Sequence, residues 1–159
     1  MQTQCTTNAL QFAPLGSRRV EAEFDGGTIT SDAGGLLLRE VDRGLGLMRR
    51  FAACFRDYRD PRRCEFTVAE LVGQRIFGLA LGYEDLNDHD ALRRDPLLAA
   101  LVGKVDVTGQ RRVRAGDWGQ ALAGKSTLNR LELTPEGASE RSRYQKIEYD
   151  PVAIDRLLV

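Results

Sequence analysis

Thr67-Val-Ala-Glu70 places the firmest local constraint on this chain. A threonine hydroxyl and a glutamate carboxylate three residues apart cap each other's backbone N–H groups, so a helix is expected to start here. The residues that follow put Val68, Leu71, Val72, Ile76, Leu79 and Ala80 on one face, up to Gly82. A helix with one apolar face has to bury it against other elements. The chain therefore needs further apolar elements around residues 67–82.

Those elements are short. Val20-Glu-Ala-Glu-Phe24 alternates strictly, Asp25-Gly26-Gly27 can turn, and Thr28-Ile29-Thr30 is β-branched, which predicts a β-hairpin over 20–31. A lone hairpin is marginal in water, so something must cover its apolar face. Residues 1–19, with Pro14 and Gly16, read as a mobile lead-in. Ser31 or Asp32 can cap a helix carrying Leu37, Val41 and Leu45, and Leu47, Phe51 and Phe55 continue as a second apolar stripe. Asp57–Arg63 is a charged loop. Asp85 can cap a short helix through Arg94, and Asp95-Pro96 restarts one that Gly103 ends. Residues 103–125 lack apolar periodicity, as functional or disordered loops do. Helices are expected at 126–133, 135–146 and 151–158, the last capped by Asp150. The fold class is mainly α (α+β): a helical bundle with an N-terminal hairpin, residues 20–159 forming one unit.

The 159 residues suffice for one domain, and 42% of them are hydrophobic, enough to fill a core. No run reaches the roughly 18 apolar residues of a membrane helix, and no secretory signal is visible. The chain reads as cytoplasmic. Cys5, Cys54 and Cys64, with one histidine and no Cys-x-x-Cys pair, argue against a disulfide framework or a zinc site. The 23 basic and 23 acidic residues cancel, but unevenly along the chain. Residues 49–63 carry a net +4, residues 64–90 a net −5 and residues 105–131 a net +3. Twenty of the basic residues are arginine. Base composition alone can produce that bias, which also suits phosphate contacts.

Three motifs compete for a function. Gly119-Gln-Ala-Leu-Ala-Gly124-Lys125-Ser126 fits the phosphate-binding loop pattern. That geometry requires a buried strand before the first glycine, and Arg111-Arg-Val-Arg-Ala-Gly-Asp-Trp118 is not one. The simpler reading makes Ser126 or Thr127 a helix cap. Asp85 and His89 lie four apart and could share a helix face with a metal, yet His89 also borders Leu86 and Leu92, as a hydrogen-bonded, partly buried histidine would. The basic clusters are Arg49, Arg50, Arg56, Arg59, Arg62 and Arg63, then Arg111, Arg112 and Arg114 with Lys125 and Arg130. The second cluster lies in a long loop, from which it can reach a phosphate backbone. Its five residues are the candidate DNA contacts, with Trp118 as a stacking or docking group. A solvated surface is the alternative. Nothing places a nucleophile near the single histidine.

Four blocks carry a resemblance. They are Phe24-Asp-Gly-Gly-Thr-Ile-Thr-Ser-Asp-Ala-Gly-Gly-Leu-Leu-Leu-Arg-Glu-Val-Asp42, Phe55-Arg-Asp-Tyr-Arg-Asp-Pro-Arg-Arg63, residues 74–98 (Gln74-Arg-Ile-Phe-Gly-Leu-Ala-Leu-Gly-Tyr-Glu-Asp-Leu-Asn-Asp-His89 and its continuation to Leu98) and Leu122-Ala-Gly-Lys-Ser-Thr-Leu-Asn-Arg-Leu-Glu132. In this order the chain resembles bacterial transposases of the insertion sequence 1380 family. The resemblance implies a DDE transposase, in which three carboxylates on an RNase H-like sheet hold two divalent metals, magnesium by expectation, that activate water or a 3′ hydroxyl. In the family those carboxylates lie downstream of the matched segment. Asp25, Asp32, Asp85 and Asp88 fall in matched blocks but not in the catalytic motif, so no catalytic residue and no metal ligand is assigned.

The expected function is the N-terminal, non-catalytic part of a DNA-transposing enzyme. Its partners would be transposon-end DNA, which would bring it to the bacterial nucleoid, and further copies in a synaptic complex. The end at Asp155-Arg-Leu-Leu-Val159, which has no helix stop, adds the expectation of a fragment. A helical protein-interaction domain and a P-loop nucleotide binder are the alternatives.

Overall fold

The computed structural model of the chain describes residues 9–23, 30–133 and 137–159. It opens with an antiparallel hairpin, β1 (Leu10–Leu15) and β2 (Arg18–Ala22), followed by helices α1 (Gly35–Leu45) and α2 (Leu47–Ala52). A short strand β3 (Phe55–Asp57) precedes α3 (Val68–Ala80), α4 (His89–Leu92) and α5 (Pro96–Val102). After a long connection come α6 (Lys125–Glu132), β4 (Ile147–Tyr149) and α7 (Pro151–Leu158). The architecture is mixed α/β, an N-terminal hairpin with several helices. The described strands form two separate two-stranded antiparallel sheets, and no RNase H-like sheet is among them.

The hairpin that is described lies upstream of the expected one. Val20 and Ala22 do face the core, and they pair with Phe12 and Leu10. Of the expected partner Thr28-Ile29-Thr30, residues 28 and 29 lie outside the described residues. Gly16, at φ 57°, supplies the turn, so part of the expected lead-in is strand β1. The expected turn at Asp25-Gly26-Gly27 lies outside the described residues. Arg39 of α1 fastens the hairpin by donating to the Ala13 carbonyl at 3.0 Å, and the Ala13 N–H donates to Glu40 at 3.2 Å. With Leu36 these residues supply the cover that a lone hairpin requires.

Consequently α1 buries Leu36 and Arg39 and turns its other leucines outward. Leu37 and Leu45 are 63% and 61% exposed, and Leu38 and Val41 are exposed beside them. Neither Ser31 nor Asp32 caps α1; Asp32 instead accepts from the Tyr83 hydroxyl at 2.7 Å.

The capping box of α3 is complete. This helix joins the two parts of the core, with Phe77 in one and Leu71 and Val72 in the other. Its buried face is rotated from the sequence expectation. Gln74, Phe77 and Gly78 are buried, whereas Leu79 and Ala80 are exposed. Asp95 caps α5 ahead of Pro96, Gly103 ends it, and Asp150 caps α7, all as the sequence predicts.

The apolar stripe Leu47, Phe51, Phe55 is not one helix. α2 stops at Ala52, and Phe55 enters β3 to pair with Tyr149 of β4. Two flanking bonds extend this small sheet, Tyr58 N–H to the Lys146 carbonyl and Asp150 N–H to the Cys54 carbonyl, each 2.7 Å. The helix expected over 135–146 is absent from the described part, 137–146. Ser139 and Ser142 close a turn there, and Ile147 is drawn into the core beside Leu128 and Leu131. No helix among the described residues is long and apolar enough to cross a membrane.

Candidate nucleic-acid interface

The pairing of β3 with β4 brings residues 143–147 against residues 59–64, although the two segments are far apart in the sequence. α6 completes the enclosure, with Thr127 and Arg130 on one face, three residues apart. Between them lies a notch of about 310 Å³. Arg59, Arg63, Arg130, Arg143 and Lys146 line it, with Asp60 as the one carboxylate. Cys64, Thr127, Tyr144 and Ile147 complete the wall.

The five cations are not equally available. Arg59 is committed to Asp57, with contacts of 2.8 and 2.7 Å, and to the Phe66 carbonyl at 3.0 Å. The Asp57 hydrogen bond holds the Arg59 guanidinium above its ordinary pKa. Arg63 has only a loose, exposed contact of 3.8 Å to Asp60, whose carboxylate also caps the 3-10 turn Pro61–Arg63. Among the described residues no ion pair engages Arg130, Arg143 or Lys146. Arg143 stacks its guanidinium over the Tyr144 ring, 5.0 Å from the centroid. Burial raises the Cys64 thiol above its ordinary pKa, which makes it a neutral wall rather than a nucleophile.

The five candidate DNA contacts from the sequence are not gathered in one place. Arg130 lines the notch, and Arg111 and Arg114 are exposed on the long connection. Arg112 is a structural residue. It pairs with Glu65 at 2.8 Å, stacks 4.7 Å from the Phe66 ring centre and donates to the Gln120 carbonyl. Its hydrogen bond holds Glu65 below the usual carboxylate range. This anchor ties the loop bearing Arg111 and Arg114 to Glu65, next to Cys64 of the notch. Trp118 is exposed, with its indole N–H donating to the Arg112 carbonyl at 3.0 Å.

Lys125 is engaged too. Its backbone N–H donates to Asp90 at 3.1 Å and its ammonium to Asn87 at 2.9 Å. The Asp90 carboxylate thus occupies the N-terminus of α6, the place where a phosphate-binding loop would hold its anion. The connection before Gly119 contains only a 3-10 turn, Ala115–Asp117, where that loop would need a strand. The glycine-lysine-serine pattern is a helix entry.

His89 is a core residue, fully buried rather than at the edge of an apolar face. The Gln74 amide donates to its Nδ1 at 3.1 Å, also donates to the Ala123 carbonyl at 2.8 Å, and accepts from the Ala123 N–H at 3.0 Å. This network puts the imidazole proton on Nε2, which lies against Gly78 without a partner. Burial, and then the nearby Arg75, push the imidazole pKa below its ordinary 6.5. The unfolded chain takes up this proton as pH falls through about 6.5 while the folded chain does not, so stability should fall there. The slope approaches about 1.4 kcal/mol per pH unit until the folded-state pKa is reached, and vanishes above pH ~7. Urea melts at pH 7.5, 6 and 5 check this, and a flat profile would contradict the buried, neutral histidine.

Arg143, Tyr144 and Lys146 were missed by the sequence reading because they fell within an expected helix. Gly137, Ser139 and Ser142, poor helix formers just upstream, were the available signal.

The family described as Transposase DDE domain group 1 matches residues 12–155. The chain belongs to that family. No curated protein and no solved structure matches the chain. Among the described residues, the acidic side chains of this transposase-family chain do not fit a divalent metal pair. No group of three or more histidine, cysteine or acidic side chains converges among the described residues. Asp85 is occupied as a cap bonded to Asn87, Asp90 holds α6, and His89 is sealed away from Asp85 in the core.

Proposed function

We propose that this chain is the DNA-contacting, N-terminal part of a transposase of the insertion sequence 1380 group, with the notch on its DNA-facing side. The order of the four sequence blocks supports the subgroup. Cations around the notch with no strong ion pair carry the DNA reading, because such groups keep their hydrogen bonds available for phosphate. Arg63, Arg130, Arg143 and Lys146 make the contacts. Arg111 and Arg114 extend the surface, while Arg112 and Lys125 brace it. Strand transfer belongs to a metal-binding, RNase H-like portion outside this chain, so the chain alone is inactive. The setting is cytoplasmic and nucleoid-bound, with transposon-end DNA and other transposase copies as partners.

Fluorescence anisotropy with a duplex of about 20 base pairs at low salt tests the contacts. Exchanging Arg63, Arg130 and Lys146 together for Ala should weaken binding at least tenfold. Removal of the Arg112 side chain would act through loss of folding, which circular dichroism separates from direct loss of contact. Equal affinity of the triple variant and the native chain would overturn the assignment.

A second reading is favoured by one observation, the exposed stripe Leu37, Leu38, Val41 and Leu45 on α1. It fits a protein-contact domain. Sedimentation with and without duplex DNA separates the two, since a protein-contact domain would associate without DNA and ignore it.

A further inference from the structure

We propose that the notch holds a single unpaired nucleotide of a DNA end, with its phosphate on Arg63, Arg130 and Lys146 and its base on the Tyr144 ring. This inference rests on the DNA-contacting reading and specifies which form of DNA the site prefers. Three observations carry it.

The first is size. At about 310 Å³ the notch lies at the small end of the range for ligand pockets, enough for one nucleotide. The second is the aromatic ring. Tyr144 lines the notch and is 62% exposed, a large exposure for a ring that could have been buried. Arg143 covers part of the ring, leaving the remainder open for stacking. Bases inside a duplex present only their edges to the solvent, so away from a blunt end the ring can stack only on a base that has left its pair. The third is chemistry along the walls. The cations and the Thr127 hydroxyl can donate to phosphate oxygens, whereas the neutral Cys64 thiol offers an apolar patch to the sugar or base. Asp60, the only acid there, accepts from the Arg62 N–H at 3.0 Å, so its charge is partly satisfied within its own turn.

Anisotropy titrations on three probes test the proposal: a blunt duplex of about 20 base pairs, the same duplex with a three-nucleotide overhang, and the single strand. The native chain should bind the overhang at least about fivefold more tightly than the blunt duplex, the smallest gain expected from one stacked base. Tyr144→Ala should bring the overhang affinity down to that of the blunt duplex, and Tyr144→Phe should keep the preference, because the ring and not the hydroxyl does the stacking. A 2-aminopurine in the overhang should be quenched by the native chain and not by Tyr144→Ala. Equal affinity for blunt and overhanging duplexes, or a preference that survives Tyr144→Ala, would overturn the nucleotide site while leaving duplex binding in place. Failure to bind any of the three probes would overturn the DNA reading itself and this inference with it.

Discussion

Gln74→Met should destabilise the chain by about 3 kcal/mol or more, a large part of the roughly 5–15 kcal/mol that holds a domain folded. Methionine keeps the volume of glutamine but none of its hydrogen bonds. The exchange strands the N–H and carbonyl of Ala123 and the Nδ1 of His89, all in residues that are fully buried. Each unsatisfied group costs about 1–3 kcal/mol. Ala123 precedes α6 by two residues, so this one amide also positions Thr127 and Arg130 at the notch. Urea denaturation measures the loss. A cost under about 1 kcal/mol would mean that the buried network does not hold α3 to α6.

Gly109→Ala should have an effect of similar size, about 3 kcal/mol, from two sources that add. Gly109 has φ 67°, in the left-handed region that costs other residues about 1–2 kcal/mol. A Cβ there would also lie 2.5 Å from the Ala121 nitrogen and 2.6 Å from atoms of Gln120. Those are backbone atoms, so no side chain can rotate aside, and Ala121 and Leu122 behind them belong to the core. Thermal unfolding of Gly109→Ala beside Gly116→Ala, at a glycine with open space around it, makes the comparison. Equal midpoints would contradict the close crossing of the connection.

That crossing shows why the long connection was hard to read. Residues 103–125 have no apolar period, yet Gly109, Arg112 and the Gln120–Ala123 segment fasten them to the body of the protein. Such contacts rest on backbone atoms, one arginine and the Gln74 amide, and leave no pattern along the sequence. Local signals fared better. The Thr67–Glu70 box, Asp95-Pro96 with Gly103, and Asp150-Pro151 each act within one helical turn, and each is present in the fold.

Long-range pairing was not legible. Nothing in Phe55-Arg-Asp57 specifies Ile147-Glu-Tyr149 as its partner, and that pairing creates the notch. The alternation of Val20, Ala22 and Phe24 indicated a strand, but not that Leu10–Leu15 would be its partner. At the interface, charge along the chain pointed to both basic clusters without showing which arginines are already paired. Arg112 and Arg130 look alike in sequence. One is locked between Glu65 and Phe66, and the other faces the notch.

The salt dependence of duplex binding tests the DNA contact most directly. If Arg63, Arg130 and Lys146 supply about three ionic contacts to the DNA backbone, as proposed, affinity should fall on the order of 40-fold between about 50 and 200 mM salt. The Ala triple variant should give a much flatter line at weaker affinity. Binding that ignores salt, or a slope that the triple variant leaves unchanged, would contradict a phosphate contact at the notch.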